Sequence, residues 1–154
     1  MNSGLVRSIA DLSNRWRSRF LPSKASSRPQ HLQRGAHGEK LASRFLRQEG
    51  YKILYRNFQG RSGGEIDIVC RHNDTLVFVE VKTRTREDFG RPFTAVDRQK
   101  QKRISRGALA WLRMLDNPDI LFRFDVVEVI IADNARPRVE LIKNAFPLSR
   151  PYLY

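Results

Sequence analysis

The chain has a single cysteine, Cys70, in 154 residues. That excludes an intramolecular disulfide framework and a zinc site built from several thiolates. On the apolar face of its strand, Cys70 fits a small core residue better than a nucleophile. Histidine is scarce as well. His31, His37 and His72 have no ligand spacing to one another or to the cysteine, so solvated or capping roles suit them. Long apolar runs are missing: the most apolar stretch, Ile120 to Ile131, is broken by Arg123, Asp125 and Glu128. No segment therefore reads as a membrane span. No continuous apolar h-region of a secretory signal is present either, and a cytoplasmic chain is expected. The glycines at 60, 63 and 64 lack the spacing and the lysine of a phosphate-binding loop, so they read as a turn. Acid is in short supply, with 16 Asp and Glu against 29 Lys and Arg and a net charge of +13. What is present suffices for one packed domain: 40% apolar residues and 10% aromatics exclude wholesale disorder. A basic surplus of this size points to a polyanionic partner.

The surplus is unevenly spread. Residues 1–34 carry +6 and the remaining 120 residues +7. In the tail, Leu5, Ile9, Leu12, Trp16 and Phe20 recur at steps of four and three, one apolar stripe on a helix. Ser23 to Arg34 follows, rich in Ser, Arg and Gln with Pro22 and Pro29, and reads as a flexible linker. The boundaries are thus a basic tail, 1–34, and a domain, 35–154. Three roles stand open for the tail: a solvated basic helix, an amphipathic segment docking a membrane surface or a protein, and a nucleic-acid arm.

Within the domain, Leu41, Ala42, Phe45 and Leu46 share one helical face, and Gly50 supplies a stop. Tyr51–Phe58, Glu65–Arg71 and Thr75–Arg84 read as strands. Asp97 to Leu115 reads as a helix with Ile104, Ala108, Trp111, Leu112 and Leu115 inward, and Phe122–Ile131 and Arg138–Asn144 complete the set. The order α-β-β-β-α-β-β predicts an α/β domain with a mixed central sheet.

The hairpin around Asn73-Asp74 carries the chemistry. A two-residue turn there makes residues 72 and 75 face each other. Ile66, Ile68 and Cys70 then oppose Val81, Val79 and Val77 on one apolar face. The other face sets Asp67 against Glu80 and Glu65 against Lys82. Like charges directly across a sheet are destabilising, so two carboxylates there call for a raised pKa or a cation. Mg²⁺ takes one or two carboxylates and leaves positions for water and phosphate oxygens, and Mn²⁺ can substitute. Lys82, on the same face, can orient a water or offset developing charge. The plainer alternative is a solvated face with Glu65 and Lys82 as a cross-strand pair. Arg84, Arg86, Lys100, Lys102 and Arg103 surround the hairpin and are candidates for phosphate contact.

Gly38-Glu39-x-Leu41-Ala42, Gly50-Tyr51, Arg56-Asn57, Gly64-Glu65-Ile66-Asp67-Ile68-Val69 and Val77-Phe78-Val79-Glu80-Val81-Lys82-x-Arg84 follow one another in this order. Over roughly residues 35–147 the chain resembles the uncharacterised bacterial YraN family, which has a restriction-endonuclease-like fold related to Holliday-junction resolvases. The resemblance implies the PD…(D/E)xK nuclease arrangement. Asp67 and Glu80 would be catalytic metal ligands, Lys82 the catalytic lysine and Glu39 a further acid from the first helix. Ile66 stands where the broader motif has proline. The implied activity is Mg²⁺-dependent hydrolysis of DNA phosphodiesters, branched or structured DNA included, by a homodimer. The alternative is a nucleic-acid-binding protein of the same fold that does not cut.

Overall fold

The computed structural model describes residues 30–61, 63–84, 96–132 and 135–152, with side chains from residue 35 onward. Arg86 and the apolar stripe of the tail lie outside the described residues.

Helix α1 (Gln30–Gln48) begins inside the segment read as linker. It ends as its sequence dictates. Gly50 takes φ +83°, its N–H reaches Arg47 O at 3.2 Å, and Tyr51 N–H reaches Leu46 O at 2.9 Å, the paired bonds of a Schellman stop. Strands β1 (Lys52–Gln59), β2 (Glu65–His72) and β3 (Thr75–Arg84) follow, then α2 (Arg98–Met114), β4 (Leu121–Ile130) and β5 (Arg138–Phe146). The Asp97 carboxylate caps α2 by accepting from Lys100 N–H at 2.8 Å.

The five strands lie in the order β1-β2-β3-β4-β5. All neighbours are antiparallel except β3 and β4, which are parallel because α2 carries the chain back across the sheet. The sheet is therefore mixed, and the α/β core is restriction-endonuclease-like as expected.

Each helix covers one face. Ala42 and Leu46 of α1 pack with Ile68, Cys70, Val77, Val79, Val127 and Val129. On the other face Ile104, Ala108, Trp111 and Leu112 of α2 pack with Phe58, Val69, Phe78 and Phe124. Trp111 meets Phe58 edge-on at 5.0 Å, and Phe124 stacks on Phe146 at 5.0 Å. Contacts of this kind add about 0.5–1.5 kcal/mol each beyond area burial.

The hairpin register holds where the turn governs it. His72 pairs with Thr75, Cys70 with Val77 and Ile68 with Val79. Beyond Ile68 the ladder stops, so Asp67/Glu80 and Glu65/Lys82 are not paired residues. Ile66 does not stay beside Ile68 and Cys70 either. It joins Phe58, its partner on β1, on the α2 face. The cause is a backbone contact. Gly64 takes φ +92°, and a Cβ there would lie 2.3 Å from Gly107 N of α2. Only glycine allows that approach, which draws the start of β2 toward α2 and away from β3.

Candidate functional site

The fork between β2 and β3 gathers acids and basic side chains. Asp67 Oδ2 accepts the Val81 N–H at 2.7 Å, so a side-chain carboxylate takes the place of a backbone carbonyl in the missing rung. Glu80 comes up beside it on β3, 4% exposed. Burial, then the negative charge of Asp67, pushes the Glu80 carboxyl up to about 8, against the opposing pull of Lys100.

Three cationic side chains ring these acids. Lys82 Nζ is 3.8 Å from Glu80 Oε1. Lys100 Nζ is 2.6 Å from Glu65 Oε1 and 3.2 Å from Glu80 Oε2. Arg103 Nη2 is 2.8 Å from Glu65 Oε2. Glu65 therefore pairs with α2 and not across the hairpin with Lys82. Burial would raise the Glu65 carboxyl, but the hydrogen bond and charge of Lys100, then Arg103, hold it below its usual range. Burial would likewise depress Lys100; Glu65, Glu80 and Asp67 outweigh it and raise its ammonium.

Glu80 Oε2 has no well-formed hydrogen bond; its neighbours are the Lys100 ammonium at 3.2 Å and the Asp67 carboxylate. A buried carboxylate oxygen without a hydrogen bond is costly and uncommon. A hard divalent cation would satisfy it. The donor chemistry fits Mg²⁺, which needs only one or two carboxylates and keeps its waters, with Asp67 and Glu80 as those two. Glu39 does not join them. It lies on α1, against the other face, with Oε2 3.7 Å from Arg56 Nη2. Among the described residues no group of three or more His, Cys, Asp or Glu side chains is placed to hold a metal.

The other basic candidates divide. Arg84 Nε is 2.6 Å from Glu128 Oε1, Lys100 and Arg103 are held by Glu65, and Lys102 is exposed on α2. Sequence reasoning grouped Lys100 with outward phosphate contacts. The structure turns it inward, because it lies one turn before Ile104 on the face that α2 presents to the sheet.

Sequence reasoning also missed two further buried acids, Glu128, which pairs with Arg84, and Asp125. Asp125 on β4 is fully buried and sits at a register shift between β4 and β5. Its carboxylate accepts from Arg123 Nε at 2.9 Å, from the Tyr51 hydroxyl at 3.3 Å and from Asn144 N–H at 2.8 Å. Arg123 also donates to the Tyr51 hydroxyl at 3.0 Å. The signal was available: a charged pair, Arg123 and Asp125, spaced by two within the most apolar stretch.

Among the described residues no helix is long and apolar enough to cross a membrane. Comparison with known proteins places the chain beside bacterial relatives. The model of "Uncharacterised protein family UPF0102" matches residues 38–129, a span that contains Glu39, Asp67, Glu80, Lys82 and Lys100. A UPF0102 protein of Pelobacter propionicus is 45% identical over 127 residues, 81% of this chain and 90% of its own length. One from Geobacter sulfurreducens is 49% identical over 115 residues, 75% and 89% of the two chains. One from Nocardia farcinica is 47% identical over 112 residues, 73% and 87%.

Proposed function

Given that the chain belongs to uncharacterised protein family UPF0102, the YraN family, we propose that it is a Mg²⁺-dependent nuclease hydrolysing DNA phosphodiester bonds, those of branched or structured DNA included. The observation that carries the proposal is Glu80, a buried carboxylate whose Oε2 has no hydrogen bond, set beside Asp67 and the Lys82 ammonium.

Asp67 and Glu80 would hold the cation, which supplies charge neutralisation at the scissile phosphate and a more acidic water. Lys82 would orient the attacking water and offset charge developing on the phosphate oxygens. Hydrolysis then forms a bond from water oxygen to phosphorus and breaks one P–O bond to the sugar. The leaving oxygen takes up a proton. Lys102, Arg84 and the stem of α2 would meet the phosphate backbone, and two copies would present two such sites to a branched substrate. Light scattering tests that pairing.

The test is a cleavage panel of duplex, single-stranded and branched DNA with Mg²⁺ or Mn²⁺, wild type beside Lys82→Ala and Asp67→Asn. Cutting by the wild type and its loss in both folded variants is expected. Salt-sensitive binding with no cutting by the wild type on any substrate overturns the enzyme and leaves a nucleic-acid-binding protein of the same fold.

A further inference from the structure

Lys100 occupies an unusual position for a residue on a basic helix. Its backbone N–H is fixed by the Asp97 cap, yet its ammonium reaches inward to Glu65 at 2.6 Å and Glu80 at 3.2 Å. The three acids at the fork, Glu65, Asp67 and Glu80, are faced by Lys82, Lys100 and Arg103, so the chain itself supplies their cationic partners. Lys100 is the one of the three that contacts two of the acids. It also stands directly against Glu80 Oε2, the buried oxygen left without a hydrogen bond.

Two cations would compete for that oxygen. A divalent ion at Glu80 Oε2 and an ammonium 3.2 Å from the same atom would repel each other strongly where water is scarce. The cap holds the Lys100 backbone in place, so relief must come from its four-carbon side chain, whose rotamers can carry the ammonium outward.

We propose that Lys100 is the resident counter-ion of the Glu65–Glu80 pair, and that a divalent cation is admitted at Asp67 and Glu80 by displacing the Lys100 ammonium toward the exposed side of α2. This deepens the cation-site reading above and rests on it. Lys100 is a positioning residue here. It offsets the charge of the acids, and it sets the affinity for what replaces it.

Calorimetric titration of Mn²⁺ into wild type, Lys100→Met and Lys100→Arg tests the exchange without DNA. Lys100→Met keeps the apolar stem and should bind Mn²⁺ on the order of ten-fold more tightly. Lys100→Arg keeps the charge and should stay within about two-fold of wild type. A loss of packing alone would weaken both variants. Equal or weaker binding by Lys100→Met overturns the proposal, as does absence of Mn²⁺ uptake in all three chains.

A second measurement uses the wild-type chain and so does not depend on a variant folding. Acylation of Lys100 by a lysine reagent, read by peptide mass, should rise by roughly three-fold or more on adding Mg²⁺ as its ammonium loses its carboxylate partners. The exposed Lys40 and Lys52 serve as internal references. An unchanged or slower rate at Lys100 overturns the proposal. Exchange without DNA cleavage would sink the nuclease and leave this inference standing, whereas cleavage without exchange would do the reverse.

Discussion

Two of the buried acids, Asp125 and Glu80, anchor clusters on opposite faces of one sheet that are finished differently. Asp125, on the α1 face, has Arg123, the Tyr51 hydroxyl and Asn144 N–H around it. Glu80, on the α2 face, is almost as buried but has one oxygen without a hydrogen bond. The first cluster closes a register shift between two strands and leaves nothing over for a ligand. The second has the composition of an ion-pair network and lacks its last bond. Burial is common to both, and completeness of hydrogen-bond partners is what separates them.

The contrast can be broken by the same kind of substitution at each centre. Asp125→Asn strands Arg123 in the sheet and should lower stability by about 3–5 kcal/mol in urea denaturation. Tyr51→Phe removes one shared hydroxyl from that network and should cost about 1.5 kcal/mol. Glu80→Gln, the matching neutralisation on the other face, should act with opposite sign. It removes the cost of burying a carboxyl that is pushed up to about 8 and should raise stability by about 1 kcal/mol at neutral pH while abolishing Mn²⁺ binding.

The smallest effect is alkaline. Burial, then the Asp125 charge, pushes the Tyr51 phenol from 10.0 up to about 12. A raised value in the folded state favours the protonated phenol. Its contribution is therefore whole below about pH 10 and is lost as pH climbs through about 12. Urea titrations across that window should show wild type weakening more steeply than Tyr51→Phe.

How much of this was legible in the sequence follows from how local each cause is. The turn at Asn73, φ +53°, lies between short alternating strands, so the pairing from His72/Thr75 to Ile68/Val79 could be read directly. Helix α2 was legible to within a residue, since the Asp97 cap and the spacing of Ile104, Ala108, Trp111 and Leu112 are all contained within it. The start of α1 was not, because Ser, Arg and Gln before Gly35 resemble a linker, and helicity begins at Gln30. Asp67, Glu80 and Lys82 were found as a group, but the mode of their meeting was not. The fork depends on Gly64 touching Gly107, 43 positions away in the chain, and no strand-pair rule contains a contact with a helix. The same distance hid the inward aim of Lys100 and the preference of Glu65 for α2. Glu39 was assigned by resemblance alone, and its pairing with Arg56 across to β1 has no signature in spacing.

The Asp67–Val81 bond has a bearing on how relatives of this chain should be judged. A side chain that substitutes for a backbone acceptor must present an sp² oxygen at the reach of a single methylene, which Asp and Asn do and Ala does not. Position 67 is thus under architectural demand whether or not the protein cuts anything. A member that had abandoned catalysis would still need an oxygen there to close the fork, so an aspartate at this place is no diagnostic of a working enzyme. Glu80 Oε2 takes no backbone rung and faces the Lys100 ammonium instead. Its identity is the one to inspect when relatives are used to weigh the proposed activity.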